Sequence, residues 1–104
     1  MNLTSKRLGL IGAAAVLLAL TPPAFAFTGQ NLAGEAKVSI EEARAIALKA
    51  HPGKITDEEL ERERGGSGLR YSFDIRRGAV TQEVGVDART GKVLENAPEG
   101  PHPD

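Results

Sequence analysis

The sequence predicts an α+β fold in which one N-terminal amphipathic helix packs on a small antiparallel sheet of three to four strands. Two patterns lead to this prediction. Apolar residues recur at helical spacing in residues 40–50, and they alternate with polar residues in residues 69–76 and 80–86. Residues 27–104 comprise 78 residues, a length that corresponds to one small domain.

Residues 1–26 have the organisation of a secretory signal peptide. Lys6 and Arg7 supply positive charge, and residues 8–20 form an uncharged apolar run. As a helix this run would measure about 20 Å, which is short for a hydrocarbon core of about 30 Å. The small residues of Ala24-Phe25-Ala26 suit signal peptidase. We therefore expect cleavage after Ala26 and a periplasmic or secreted protein, with an uncleaved membrane anchor as the alternative.

The expected mature chain, residues 27–104, is acidic and contains no cysteine. Removal of the first 26 residues takes away two of the 13 basic residues and none of the 14 acidic ones, which leaves a net charge of −3. Nucleic acids and anionic membranes bind clustered basic residues, whereas the basic residues here are interspersed with acidic ones. The composition therefore argues against both partner classes, and it excludes disulfides and a lipid anchor on cysteine.

Residues 39–50 are predicted to form a helix that begins with a capping box. The Ser39 hydroxyl can accept a hydrogen bond from the first turn, and the Glu42 carboxylate can reach back to the Ser39 backbone. His51-Pro52-Gly53 ends the helix, because proline disfavours the helical conformation in the residue before it. The apolar stripe consists of Ile40, Ala43, Ile46, Ala47 and Ala50.

Two alternating segments predict a β-hairpin. We expect a register that pairs Ile75 with Val80, because it places every large apolar side chain of the hairpin on one face. On the other face this register sets Asp74 against Thr81, in a surface of mixed polar character. The apolar residues of the two segments are Leu69, Tyr71, Phe73 and Ile75, followed by Val80, Val84 and Val86.

Turn residues set the remaining boundaries. Residues 65–68 form a glycine-rich turn, and residues 87–92 form a second turn in which Gly91 suits a positive φ. Val93 and Leu94 can then return as a short edge strand. Residues 27–37 are predicted to be a flexible lead-in, and residues 96–104, with three prolines, a disordered tail.

This order of elements resembles the PepSY domain of peptidase propeptides and cell-envelope proteins. The resemblance implies a PepSY-like domain over residues 38–95 and an exposed strand in residues 54–64, whose composition alone favours a helix. It also implies a role in restraining peptidases near the cell surface, and it carries no catalytic residue. The segments behind it are Ser39-Ile40-Glu41-Glu42-Ala43, Ala50-His51-Pro52-Gly53, Tyr71-Ser72-Phe73-Asp74-Ile75 and Val86-Asp87-Ala88-Arg89-Thr90-Gly91-Lys92-Val93.

No catalytic, cofactor-binding or metal-binding residue is predicted. Ser39, Ser67 and Ser72 have structural interpretations as cap, turn and strand face, and a nucleophilic serine needs a neighbouring base. His51 lies at a helix end, where a positive charge suits the helix dipole. His102 lies in the predicted tail.

Two charged segments also lack the spacing of known sites. The acidic run over residues 57–63 does not have the ligand order of a calcium loop, and it is typical of a solvated surface. Gly91-Lys92 lacks both the earlier glycine and the following serine or threonine of a phosphate-binding loop. Neither segment therefore predicts a ligand.

We therefore expect an exported, non-enzymatic interaction module without a cofactor, one that binds or restrains a cell-envelope peptidase or a sensor ectodomain. Binding would use a sheet edge or the polar face of the hairpin. Self-association through a sheet edge is an equally open route. The alternative is a small ligand- or metal-binding periplasmic protein that uses His51 and the acidic segment 57–63.

Overall fold

The computed structural model describes residues 26–100, and the α+β class predicted from the sequence is confirmed. Four strands pair antiparallel in chain order, so the sheet is a simple meander. A short 3-10 helix precedes the amphipathic helix, which is therefore not the first element of the described chain. The elements are the 3-10 helix Gln30–Glu35, helix α1 Ile40–Ala50, and strands β1 Lys54–Arg62, β2 Leu69–Arg77, β3 Val80–Asp87 and β4 Val93–Pro98.

The predicted signal peptide lies outside the described residues except for Ala26. Residues 101–104 of the predicted tail also lie outside them. Within residues 26–100, no helix has the length and apolar character needed to cross a bilayer.

Helix α1 begins with the capping box predicted from the sequence. The Glu42 amide donates to the Ser39 hydroxyl oxygen over 3.1 Å, and the Glu42 carboxylate accepts from the Ser39 backbone. Ile40, Ala43 and Ala47 are buried, and the two alanines allow the helix axis to approach the sheet closely. The helix therefore covers one face of the sheet with most of the predicted stripe. Ile46 is half-buried, whereas Ala50, predicted as part of the stripe, is exposed at the end of the helix.

The core lies between α1 and the apolar face of the sheet. The Tyr71 hydroxyl donates to the carbonyl oxygen of Val38 over 2.7 Å, so this buried phenol has its hydrogen-bond partner. The aliphatic side chains fill the rest, as the small number of aromatic residues requires. The buried apolar residues of the sheet and the turn after it are Leu60, Leu69, Tyr71, Phe73, Ile75, Val84, Val86 and Ala88.

Residues 54–62 form strand β1, which confirms the strand predicted from the family resemblance. Only Leu60 is fully buried, and Ile55 is half-buried. With one buried apolar side chain in nine residues, periodicity could not reveal this strand. Pairing with β2 holds it in place, with a register shift between Ile55 and Asp57.

The register predicted for the β2–β3 hairpin is wrong by two residues. Val80 pairs with Arg77 instead of Ile75, and Gly78-Ala79 forms a two-residue turn in which Gly78 has φ +64°. Such a short turn matches the twist of the strands when glycine adopts positive φ. Because a shift of two residues preserves the side-chain alternation, the same residues face α1 as predicted. Val80 is the exception in burial, since it follows the turn directly and is 53% exposed. The polar face differs, since Asp74 lies opposite Glu83 and not Thr81.

Strand β4 runs through Pro98, beyond the predicted edge strand of Val93 and Leu94 and past the predicted start of the tail at Asn96. Main-chain pairing with β3 extends this strand, and the Glu99 amide still donates to the Thr81 carbonyl oxygen over 2.9 Å. Because the side chains after Leu94 are small or polar, no apolar pattern marks this extension.

Residues 27–37, predicted as a flexible lead-in, pack against the domain. Thr28 forms a parallel bridge with Glu59, and the Leu60 amide donates to the Thr28 carbonyl oxygen over 2.8 Å. The Phe27 ring lies edge-on to Tyr71, with ring centroids 6.3 Å apart. The lead-in therefore occupies part of the β1 edge.

Asp87 joins the two turns at one end of the sheet. Its carboxylate is fully buried and accepts hydrogen bonds from the Ser67 amide (2.6 Å), the Ser67 hydroxyl (2.8 Å), the Arg89 amide (2.8 Å) and the Thr90 amide (3.0 Å). Burial alone would raise the pKa of Asp87, but these hydrogen bonds outweigh burial and hold the pKa well below its usual range. The ionised carboxylate thus fixes the β1–β2 turn against the β3–β4 turn.

We expect Asp87→Asn to lower the free energy of unfolding by about 1–3 kcal/mol, because an amide cannot accept all four hydrogen bonds. Urea denaturation at neutral pH measures the change. Asp57→Asn makes the same chemical change at an exposed position and is expected to cause no loss. Equal stability of Asp87→Asn and the wild type would contradict the structural role of Asp87.

We expect Gly29→Ala to displace the lead-in from the β1 edge. Gly29 has φ +82°, and a Cβ there would lie 1.8 Å from the Leu60 carbonyl oxygen. Hydrogen exchange at the Leu60 amide should accelerate about tenfold or more, since this amide loses its acceptor on Thr28. Gly34→Ala is the matched control, because a Cβ on Gly34 meets no atom within 4 Å. Equal exchange in both variants would contradict the packing of the lead-in.

Candidate functional site

The face of the sheet opposite α1 is the candidate site, and we call it the uncovered face. Within residues 26–100 no helix or strand packs across it, since α1 lies on the apolar side. Its centre is a groove of about 320 Å³ with an almost wholly polar lining. The lining residues are Asp57, Glu59, Glu61, Arg62, Glu63, Ser72, Asp74, Glu83 and Glu99.

Strand alternation explains why carboxylates collect on this face. Leu60 points into the core, so its neighbours Glu59 and Glu61 point away from it. Glu58 lies on the α1 side, where its carboxylate forms an ion pair with Arg44. The acidic run that looked like an ordinary solvated segment is therefore divided between the two faces of the sheet.

Carboxylates lie directly opposite one another across neighbouring strands. Asp74 of β2 pairs in register with Asp57 of β1 on one side and with Glu83 of β3 on the other. Carboxylate oxygens of Asp74, Glu83 and Glu99 all lie within 4.8 Å of one another. Like charges in such positions destabilise a sheet. The uncovered face therefore carries an electrostatic cost within the folded protein.

The cations near the groove form interactions elsewhere. Arg62 pairs with Glu35 of the 3-10 helix, and Arg76 donates to the Gly78 carbonyl oxygen over 3.1 Å. Neither of these interactions neutralises the carboxylates at the centre of the groove.

Arg70 is the cation held within the uncovered face. Its side chain is 10% exposed, and its Nη1 lies 3.5 Å from a Glu63 oxygen and 3.4 Å from a Glu95 oxygen. Its Nη2 donates to the Arg64 carbonyl oxygen over 3.1 Å, whereas its buried Nε has no acceptor among the described residues. Gly85 makes room for it, since a Cβ there would lie 3.0 Å from the Arg70 Cδ.

The crowding shifts the proton affinity of three carboxyl groups. Burial, followed by the charges of Glu95, Asp74 and Glu99, raises the pKa of Glu83 to about 7. Burial and the Asp57 charge raise the pKa of Asp74. Burial also raises the pKa of Glu61, although the Ser72 hydroxyl donates to its Oε1 over 3.1 Å. The charge of this face therefore changes near neutral pH.

The structure places the serines and histidines that were considered as candidate site residues in separate locations. The Ser39 hydroxyl contacts Glu42, the Ser67 hydroxyl contacts Asp87, and the Ser72 hydroxyl contacts Glu61. His51 follows the last turn of α1, and its buried Nε2 has no hydrogen-bond partner among the described residues. His102 lies outside them. None of these residues belongs to the carboxylate group at the centre of the uncovered face.

Sequence reasoning did not find the central carboxylate group of Asp74, Glu83 and Glu99. These residues come from β2, from β3 and from the position after β4, so only the strand register brings them together. The alternation of acidic residues in β1 was a signal for an acidic face, but none of the three residues lies in that strand. Oxygen-only ligands suit calcium or magnesium better than zinc, and these three residues fit a hard cation by type.

The two sheet edges differ in what covers them. Thr28 occupies part of the β1 edge, whereas β4 has no second strand partner within the described chain. Pro98 lies at the end of β4. Proline on an edge strand limits pairing with a further strand.

We expect the midpoint of thermal unfolding, Tm, to fall as pH rises from about 4.5 to about 8. The folded pKa of Glu83 lies above its unfolded value, so folding binds a proton in this window and loses stability as the proton dissociates. Glu83→Gln should flatten the slope of Tm against pH, and Glu41→Gln on the exposed surface of α1 should retain it. A wild-type Tm that rises across this window would contradict the crowding of carboxylates. Circular dichroism provides the measurement.

Comparison with known proteins identifies the family. A family model described as "PepSY: Peptidase propeptide and YPEB domain" matches residues 37–96, which is more than half of the chain. No curated protein and no solved structure matches the chain. The match runs from just before the capping box into β4, so it includes β1, β2 and β3 in full and part of β4. The chain therefore belongs to the PepSY family.

Proposed function

We propose that this protein is an exported, non-enzymatic interaction module that binds, and thereby restrains, a cell-envelope peptidase or a sensor ectodomain. The family match over residues 37–96 carries the proposal, because the family is described by its occurrence in peptidase propeptides. The signal peptide predicted from residues 1–26 supports a location in the periplasm or outside the cell.

The placement of the serines supports a role in binding. The Ser67 hydroxyl donates to a buried carboxylate that also binds three backbone amides, which is a structural arrangement. The Ser39 and Ser72 hydroxyls contact glutamates in a helix cap and on a strand face. None of these pairs has the nucleophile–base–orienter geometry of covalent catalysis.

The sheet offers two surfaces for a protein partner. The uncovered face presents side chains from all four strands, and the β4 edge presents main-chain groups for strand addition. Edge pairing would serve a second copy of the chain equally well. The uncovered face is acidic, so it favours a different molecule over a second copy of itself.

A pull-down from an envelope extract of the source organism tests this function. The bait is tagged protein comprising residues 27–104, used at moderate salt with identification by mass spectrometry. We expect a peptidase or a sensor ectodomain in stoichiometric amount, and a captured peptidase should lose activity when the purified protein is added. Recovery of the bait alone would contradict the proposal and would favour self-association.

Binding of a divalent cation is the second candidate function, and the approach of Asp74, Glu83 and Glu99 favours it. This group replaces the His51-based site considered from the sequence, because His51 does not belong to it. Titration calorimetry with calcium, magnesium and zinc tests the site, with Asp74→Asn as the variant. Heat no larger than that of dilution in the wild type would rule it out.

A further inference from the structure

We propose that the uncovered face docks a basic polypeptide segment in an extended conformation, with lysine or arginine side chains over Asp57, Glu59 and Glu61 of β1 and beside Asp74 and Glu83. This inference rests on the proposed function and adds the chemistry of the partner. It commits to a polypeptide, so a metal ion and a second copy of this chain become outcomes that contradict it.

Charge is the first argument for a basic partner. Each strand contributes acidic side chains to the uncovered face, and two carboxylate pairs lie directly opposite one another. Sheet surfaces are stabilised by opposite charges at such positions, and like charges cost stability. Cations from a partner would replace this repulsion with attraction. The free protein therefore carries a cost that a basic ligand would relieve.

Spacing is the second argument, and it favours an extended segment. Alternate residues of a β-strand lie about 6.6–6.8 Å apart on one face, and neighbouring strands lie about 4.8 Å apart. Asp57, Glu59 and Glu61 follow this repeat along β1, an edge strand of the sheet. An extended segment with a basic residue at every second position has the same repeat as these carboxylates.

Arg70 is an independent observation that favours a polypeptide over a bare metal ion. Its side chain is nine-tenths buried within the uncovered face, and its Nε has no acceptor among the described residues. A metal ion brings no acceptor, whereas a polypeptide brings carbonyl oxygens together with its cations.

Charge also argues against a second copy on this face. Two uncovered faces brought together would oppose carboxylate to carboxylate. Arg62, which lines the groove, already pairs with Glu35, and Arg76 of β2 already donates to the Gly78 carbonyl oxygen. Among the described residues no cation forms an ion pair with Asp74 or Glu83, so a different molecule can supply one.

Fluorescence anisotropy with a labelled peptide of alternating lysine and threonine tests the inference on the full chain. We expect saturable binding that weakens as salt is added. A peptide that alternates glutamate and threonine should not bind. A peptide with the lysines in one block should bind more weakly, because its charges do not match the strand repeat.

Charge reversal at Glu83 separates lost binding from lost folding. Glu83→Lys should weaken peptide binding about tenfold or more. It should also raise Tm, because a lysine there would face Asp74 with opposite charge. Glu41→Lys reverses a charge on α1 and should change the affinity less than about twofold. A stable Glu83→Lys protein that binds the peptide as the wild type does would overturn the inference, as would absence of binding by the wild type.

The same variant in the envelope pull-down distinguishes this inference from the proposed function. Capture of the partner by the wild type and its loss with Glu83→Lys supports both. Equal capture by the two proteins overturns the docking face and leaves the interaction module standing. Capture by neither protein contradicts the proposed function itself.

Discussion

The buried carboxylate of Asp87 is the interaction on which the arrangement of the sheet depends. It collects four hydrogen bonds from Ser67, Arg89 and Thr90, and so joins the turn before β2 to the turn after β3. Arg89 also donates to the carbonyl oxygens of Ser67 and Glu35, which connects the same region to the 3-10 helix. A buried charge is tolerated here because hydrogen-bond donors surround it. The turn of residues 87–92, which carries part of the sequence resemblance to the family, thus has a structural role.

The core and the uncovered face are formed by opposite sides of the same four strands. Apolar side chains from alternate positions meet α1, and the small side chains of Ala43 and Ala47 let the helix approach. The opposite side of the same strands collects carboxylates that repel one another. A small domain with a mainly aliphatic core has a small free energy of unfolding, and such repulsion lowers it further. The repulsion between carboxylates is confined to one face of the sheet, and this is the physical reason to regard that face as a binding surface.

The sequence was sufficient to predict the elements in which apolar side chains recur at a regular spacing. The Ser39–Glu42 capping box, the helix and the alternation of Leu69, Tyr71 and Phe73 all predict what the structure contains. It was insufficient where main-chain hydrogen bonds determine the length of a strand, as in the extension of β4 to Pro98. The acidic face escaped notice because the predicted register placed Thr81, and not Glu83, beside Asp74. A shift of two residues leaves the core unchanged, so the apolar pattern could not detect the error.

The central claim is that the strand register crowds carboxylates on the uncovered face. Carbon-13 NMR of the Glu83 side-chain carboxyl, followed as a function of pH, tests it most directly. The account predicts a midpoint at about 7, because burial and the charges of Glu95, Asp74 and Glu99 oppose ionisation. A midpoint at the ordinary glutamate value of about 4.3 would contradict the crowding, and with it the argument for a basic partner.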